Sequence, residues 1–159
     1  MKKSLIYILL LLIIPIGLSA QVTVTGSTGA DATYPRLGLA FTAINGTAQT
    51  GNKIIISITA STTETASARL DAGAWISLRI TPTVPGIVIS GNLAAPLIDL
   101  NGADSVTIDG RVNGVKNMII DNSSFSPTAG TSTIRLINDA AFNVIKYCII
   151  KGSETVSAV

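Results

Sequence analysis

Short runs of alternating aliphatic and polar residues dominate the chain from residue 53 onward. Alternation with a period of two is typical of β-strands, and Gly, Asn, Asp, Pro and Ser separate the runs. The runs are KIIISIT, WISLRI, GIVIS, PLIDL, SVTID, NMIID, TIRLI and YCIIK. An earlier strand is predicted at Val22 and Val24. No helical pattern separates the later runs, which disfavours a sheet built from alternating strands and helices.

One segment near the N-terminus has a different period. Its apolar residues recur at steps of three and four, at Leu37, Ala40, Phe41 and Ile44. This spacing places them on one face of a helix. We predict a short amphipathic helix over residues 35–45, with Pro35 in its first turn and Gly46 after its end. Such a helix is suited to cover the open end of a β-structure.

The strand runs recur in threes. The trios are 53–59, 75–80 and 86–90, then 97–100, 105–109 and 117–121, then an incomplete third with 133–137 and 147–151. IDL at 98–100 aligns with IRL at 134–136, and VTIDG at 106–110 aligns with CIIKG at 148–152. In this alignment the predicted inward residues are Ile98, Leu100, Val106 and Ile108, matched by Ile134, Leu136, Cys148 and Ile150.

The outward positions of the same alignment change freely. Asp99 is replaced by Arg135 and Asp109 by Lys151, whereas the inward positions stay apolar. Constant inward chemistry with variable outward chemistry is typical of a solenoid. We therefore predict an all-β fold, a right-handed parallel β-helix with strands stacked about 4.8 Å apart and a short N-terminal capping α-helix. Turns are predicted at 101–104 and 138–143.

A β-sandwich stays open as the alternative fold, because its strands also alternate at this spacing. The recurrence in threes favours the β-helix. The absence of Asn-Gly hairpins between the runs is a second argument for it. The polar segment at 122–132 is predicted to protrude as a loop.

The first residues, MKKSLIYILLLLIIPIGLSAQ, have the features of a secretory signal peptide. Two lysines precede an apolar run that is short for a membrane span, and the predicted cut follows Ala20. An uncleaved membrane anchor is the alternative interpretation. The predicted division is a signal peptide at 1–20, an N-terminal strand and capping helix at 21–52, and the first coils of the β-helix at 53–159.

The amino-acid composition and net charge limit the class of protein and its partners. Hydrophobic residues make up 47% of the 159 residues, but aromatic residues only 4% and charged residues 13%, which fits an extracellular β-protein. Without Lys2 and Lys3 the chain has 9 basic and 9 acidic residues, so we expect neither nucleic acid nor an anionic membrane as partner. Trp75 is a candidate sugar-stacking residue, but it leads into an alternating run, so packing is the favoured interpretation.

Few residues offer chemistry. Histidine is absent, and Cys148 is the single cysteine, predicted to pack as a small core residue. The candidates are Asp99, Asp109 and Asp121, with Arg111 and Arg135 nearby; Asp99, Asp109, Asp121 and Arg135 are predicted on the outward face. Carboxylates can hold Ca²⁺ or act in acid–base chemistry. No three carboxylates recur in one register, so a structural role is favoured, with an ion pair between Asp99 and Arg135. We expect no catalytic residue, no cofactor and no metal; Ca²⁺ is the one candidate ion.

Four segments carry a family resemblance: YPRLGLAFTAING, TASTTETASARLDAG, ISGNLAAPLIDLNGADSVTIDGR and GTSTIRLINDAAFNVIKYCIIKGS. Together they resemble the N-terminal part of large proteins that Gram-negative bacteria export by type IX secretion. The resemblance covers about residues 22–153 and implies a pectin-lyase-like right-handed β-helix, followed by further modules and a C-terminal sorting domain. Because the chain ends at GSETVSAV, before a third coil is complete, we expect it to be the beginning of a longer protein.

The resulting expectation is a non-catalytic, exported β-helical protein, secreted or on the outer cell surface of a Gram-negative bacterium. An adhesin-like or glycan-binding scaffold is favoured, with polysaccharide or surface glycans as partners and no membrane span after signal removal. The export machinery would act through a sorting domain outside these residues. The alternative is a carbohydrate-active enzyme, a polysaccharide lyase or glycoside hydrolase, whose active site lies beyond residue 159. A structural spacer is a third option.

Overall fold

The structure, a computed structural model, describes residues 20–153. The predicted signal peptide, apart from Ala20, and the end of the predicted third coil at 154–159 lie outside the described residues. The described part is an all-β fold with one helix. Its elements are β1 (Val22–Thr25), β2 (Ala32–Tyr34), α1 (Leu37–Asn45), β3 (Lys53–Ile58), β4 (Thr62–Glu64), β5 (Ala68–Asp71), β6 (Ser77–Pro82), β7 (Val88–Gly91), β8 (Pro96–Asn101), β9 (Val106–Asp109), β10 (Arg111–Val112), β11 (Val115–Lys116), β12 (Met118–Asn122), β13 (Ser132–Ile137), β14 (Val144–Lys146) and β15 (Cys148–Gly152).

Most strands belong to three sheets, which we name A, B and C. Sheet A has the order β14-β9-β6-β3-β1-β2, sheet B the order β15-β12-β7-β4, and sheet C the order β13-β8-β5. Pairing is parallel throughout sheets B and C and from β3 to β14 in sheet A. Antiparallel pairing is confined to β1 and β2 at one edge of sheet A and to the hairpin β10–β11.

The parallel strands visit the sheets in a fixed order. Along the chain β3, β4 and β5 lie in sheets A, B and C; β6, β7 and β8 follow in the same order, then β9, β12 and β13, and finally β14 and β15 in A and B. A β-sandwich, the alternative fold, is built from antiparallel sheets and does not fit this pairing.

The core consists of aliphatic ladders that run across the strands of each sheet. In sheet A, Ile56, Ile80 and Ile108 are in register and fully buried. In sheet C, Leu100 lies in register between Leu70 and Leu136. Removing one such side chain from water contributes roughly 1.5–3 kcal/mol. The predicted inward positions Ile98, Leu100, Val106 and Ile108 are all buried, so the period-two pattern indicated the correct face.

Helix α1 begins at Leu37, two residues later than predicted. The reason is that Arg36, the residue before the helix, has an extended backbone with φ −150° and ψ 156°. The buried residues of the helix are the four predicted ones, Leu37, Ala40, Phe41 and Ile44. The helix packs chiefly on β5 and also touches β1, β2 and β4. Within residues 20–153, no helix has the length and apolar character needed to cross a membrane.

The predicted grouping of the first trio was wrong. Two further strands, β4 and β5, lie between β3 and β6, so the run at 53–59 is followed in sheets B and C by Thr62–Glu64 and Ala68–Asp71. The inward side chains of β4 are Thr62 and Glu64, which are buried although they are polar. A search for alternating apolar residues therefore does not find this strand.

The predicted alignment was correct in sheet C and wrong in sheet A. Ile134, Arg135 and Leu136 are in register with Ile98, Asp99 and Leu100, as predicted. The segment 148–152 instead pairs with β12, while 106–109 pairs with the short strand β14, which the prediction missed. The cause is a corner at Tyr147, where a φ of +55° redirects the chain between β14 and β15.

Residues of the last strands are less buried than predicted. Ile134 and Cys148 are partly buried against the core, whereas Leu136 and Ile150 are exposed. Among the described residues, no strand pairs with the outer edge of β13 or β15. Cys148 is in register with Met118, not Val106 as predicted.

The predicted loop at 122–132 begins inside the fold. Asn122 is the last residue of β12 and is buried. Its amide nitrogen donates to the carbonyl oxygens of Leu93, Ala95 and Ser132 at 3.1, 3.0 and 2.9 Å. Asn122 therefore links the turn between β7 and β8 to the first residue of β13. The polar residues after Asn122 form the loop.

Candidate functional site

The three candidate aspartates lie on three different sheets. Asp109 ends β9 in sheet A, Asp121 is in β12 of sheet B, and Asp99 is in β8 of sheet C. Their side chains therefore do not form one site. Across residues 20–153 there is no group of three or more His, Cys, Asp or Glu side chains arranged to hold a metal ion.

Asp99 forms the predicted ion pair with Arg135. The Arg135 guanidinium donates through Nε and Nη2 to the two carboxylate oxygens at 3.0 and 2.9 Å. Asp99 was predicted to be an exposed outward residue, but Arg135 covers it and it is buried. The carboxylate raises the pKa of Arg135, chiefly through this hydrogen bonding. The pair is a closed structural unit.

Asp109 lies at the centre of a larger group. It was also predicted to be exposed, but its side chain is 0% exposed because basic side chains surround it. Arg111 donates through Nε and Nη2 at 3.1 and 2.9 Å, and Arg79 donates through Nη2 at 2.8 Å. The Lys146 amine is 3.6 Å from the same carboxylate. Lys151, the predicted neighbour of Asp109, is in register with Asp121 instead.

A hairpin and a corner position two members of this group. Arg111 begins the hairpin β10–β11, in which Lys116 is its cross-strand partner. The turn consists of Asn113 and Gly114 with φ +51° and +79°, the pair of positive φ angles that a tight hairpin requires. The predicted absence of Asn-Gly hairpins was therefore wrong at VNGV. The Tyr147 ring lies 4.5 Å from the Arg111 guanidinium carbon, a cation–π contact.

We call this group the cationic cluster: Asp109 with its partners Arg79, Arg111 and Lys146, together with Lys116 and Tyr147, which lie beside Arg111. The hydrogen bond from Arg111 is the largest cause of a lowered Asp109 pKa; burial opposes it, and the charges of Arg111 and Lys146 reinforce it. Asp109 is therefore ionised at neutral pH, and three cations, Arg79, Arg111 and Lys146, face its one carboxylate. The side chains of Arg79, Arg111 and Lys146 stay 49%, 37% and 39% exposed, so they can contact a ligand.

A second candidate is a cleft of about 340 Å³ between the end of helix α1 and the turn before β6. Trp75 lines it but is buried, and its indole nitrogen donates to the Asp104 carbonyl oxygen at 2.7 Å. The ring packs so tightly on Gly73 that a Cβ at that glycine would overlap it. Trp75 thus packs, as the sequence favoured, and offers no free face for a sugar. The cationic cluster is the stronger candidate.

Sequence reasoning found Asp109 and Arg111 but missed Arg79, Lys116 and Lys146. These basic residues are spread over the chain, and no run of charges marks them. The Asn-Gly pair in RVNGVK was the one local signal, because a tight hairpin there places Arg111 opposite Lys116.

The comparisons with known proteins add no relative. No protein-family model matches the chain, and neither a search of curated proteins nor a search of solved structures finds a match.

Proposed function

We propose that this chain is the N-terminal part of an exported right-handed parallel β-helix that serves as a non-catalytic, glycan-binding scaffold. The observation that carries the proposal is the repeated visit of the chain to sheets A, B and C in the same order. Parallel strands that recur in this way are the expected product of a chain that winds in one direction. The aliphatic ladders supply the continuous core that such a stack needs.

A capped first coil supports the same proposal. Glu64 in β4 is buried, and its carboxylate oxygens accept hydrogen bonds from the backbone N–H groups of Leu37 and Gly38, each at 2.9 Å. These groups belong to the first turn of helix α1, where free N–H groups and the helix dipole favour a negative charge. The helix is thereby held on β4 and β5, where it covers the first coil.

The arrangement of the carboxylates favours binding over catalysis. Asp99 and Asp109 are each engaged by arginine side chains, and Asp121 lies on another sheet. A general acid or base needs a carboxyl group that can exchange a proton with a substrate. The cationic cluster instead presents positive charge and an aromatic ring where sheet A meets the hairpin β10–β11, which suits recognition of a ligand.

Export is part of the proposal and rests on the sequence. The N-terminal segment predicts a signal peptide, and the family resemblance suggests type IX secretion in a Gram-negative bacterium. We propose that the protein is secreted or displayed on the cell surface. Expression of the whole chain in a Gram-negative host should yield a mature protein that begins at Gln21. Recovery of a chain that still begins at its original N-terminus would refute the signal peptide.

Binding of the exported chain to an array of neutral and acidic glycans tests the scaffold function. We expect glycans to be retained but not cleaved, with release of reducing ends or unsaturated products as the cleavage assay. Binding to no glycan would refute the glycan-binding role and favour a structural spacer. Cleavage of a retained polysaccharide would refute the non-catalytic role.

A further inference from the structure

We propose that the cationic cluster binds the carboxylate or sulfate groups of an acidic glycan by direct contact, without a bridging calcium ion. This inference rests on the proposed glycan-binding function and names the chemistry of its ligand. The site is the part of sheet A and hairpin β10–β11 formed by Arg79, Arg111, Lys116 and Lys146, with Tyr147 beside them.

Among residues 20–153, the positive charges of the cluster outnumber the negative charge that contacts them. Asp109 carries one negative charge, which is shared between three cations, Arg79, Arg111 and Lys146. Arg111 and Lys116 are also cross-strand partners, so two like charges lie directly opposite each other. Like charges in this position are destabilising. A bound anion would relieve the repulsion, which gives the site a physical preference for a negatively charged ligand.

The same surface offers contacts that suit a sugar rather than a bare anion. Outward hydroxyl groups of sheet A belong to Ser57, Thr81 and Thr107, which are partly exposed on neighbouring strands. Hydroxyl groups can donate and accept hydrogen bonds with sugar hydroxyls. Tyr147 is 46% exposed and adds an amphipathic ring. This mixture of cations, hydroxyls and one aromatic ring favours an acidic glycan over nucleic acid.

The sign of the charge also decides the mode of binding. A calcium ion that bridges a glycan to a protein needs oxygen ligands with excess negative charge. The single carboxylate of the cluster is already engaged by two arginines. Because the surrounding cations repel Ca²⁺, we expect acidic glycans to bind equally well in EDTA.

The test measures binding of the whole chain to polygalacturonate for carboxylates, heparin for sulfates, dextran as a neutral glycan, and double-stranded DNA. The site variant is Lys116→Gln with Lys146→Gln, which leaves both arginines on Asp109. The matched control, Lys53→Gln with Lys151→Gln, removes the same charge elsewhere. Lys53 is about four residues, or about 13 Å, along the strands from the level of Asp109, and Lys151 is in sheet B. Urea unfolding verifies that both variants fold.

We expect wild-type protein to bind polygalacturonate, heparin or both in EDTA, with Kd raised about tenfold or more in the site variant and less than about threefold in the control. Equal losses in the two variants would overturn the assignment of the site. A requirement for Ca²⁺, or tighter binding of DNA than of either acidic glycan, would overturn the proposed ligand chemistry. Retention of dextran without the acidic glycans would overturn this inference but leave the proposed function intact, whereas no binding to any glycan would refute both.

Discussion

Replacement of Asp109 by asparagine tests whether the cationic cluster depends on its central charge. The substitution preserves the shape of the side chain but removes the negative charge and turns one acceptor into a donor. Three hydrogen bonds from Arg79 and Arg111, at 2.8–3.1 Å, lose their ionic partner. Lys146 loses its counter-charge as well. The positive side chains would then repel each other without compensation.

The size of the effect follows from these contacts. A hydrogen bond to a charged group contributes roughly 1.5–3 kcal/mol when both partners are protected from water. The arginines are more than one third exposed, so water replaces part of each lost contact and the sum must be discounted. We expect Asp109→Asn to lower the free energy of unfolding by about 2–4 kcal/mol. Asp99→Asn, the control with a single arginine partner, should cost about 1–2 kcal/mol.

The pH dependence gives a second measurement of the same effect. The pKa of Asp109 is lowered in the folded protein, chiefly by the hydrogen bond from Arg111. Its contribution to stability is therefore complete above the pKa of the unfolded chain, about 3.9, and is lost as the pH falls through the folded pKa. Urea unfolding of wild type and Asp109→Asn should show a difference at pH 7 that shrinks below about pH 4.

Two outcomes would contradict this reasoning. One is an Asp109→Asn variant no less stable than Asp99→Asn at pH 7, since Asp109 has the larger set of cationic partners. The other is a difference from wild type that stays constant from pH 7 down to pH 2. In either case the contacts of Asp109 would not stabilise the fold through its charge.

Three further predictions concern the fold. Glu64→Gln should lower the free energy of unfolding by about 1–2 kcal/mol and speed amide hydrogen exchange in α1. The reason is that two helix N–H groups lose a charged acceptor. Unchanged hydrogen exchange in the helix would contradict the role of Glu64 as its anchor. Gly110→Ala should lower the free energy of unfolding in urea by more than about 2 kcal/mol, because a Cβ at this position would overlap the Tyr147 carbonyl oxygen. Gly152→Ala is the control and should lower it less, because a Cβ there would lie 3.4 Å from its nearest atom. Burial raises the pKa of the Cys148 thiol, so iodoacetamide should alkylate the folded protein at pH 8 more slowly than the urea-unfolded chain, and equal rates would argue against a protected thiol.

The alternation of apolar residues was sufficient to predict the regular strands. Ile54 and Ile56 in β3 and Leu78 and Ile80 in β6 are buried at every second position, as period two requires. The alignment of 98–100 with 134–136 also predicted the register of sheet C and the ion pair of Asp99 with Arg135. Both properties depend on a local pattern and its repetition.

The strand β4 could not be predicted in the same way. Glu64 occupies a buried inward position because the first N–H groups of α1 donate hydrogen bonds to its carboxylate. The donors, Leu37 and Gly38, come 27 and 26 positions earlier in the chain. A buried carboxylate is favourable only with such partners. The pattern around Glu64 therefore resembles a loop unless the position of the helix is known.

The sequence by itself determined the class of structure, the inward face of most strands and the helix with its buried side, because each follows from the spacing of side chains along a short stretch. Only the tertiary structure decided the strand partners near Tyr147 and the composition of the cationic cluster. Arg79, Asp109 and Lys146 lie on separate strands, and parallel stacking brings them within reach of one another. An electrostatic site of this kind depends on distances in space between charged side chains. Those distances are set by the pairing of strands that are far apart in the sequence.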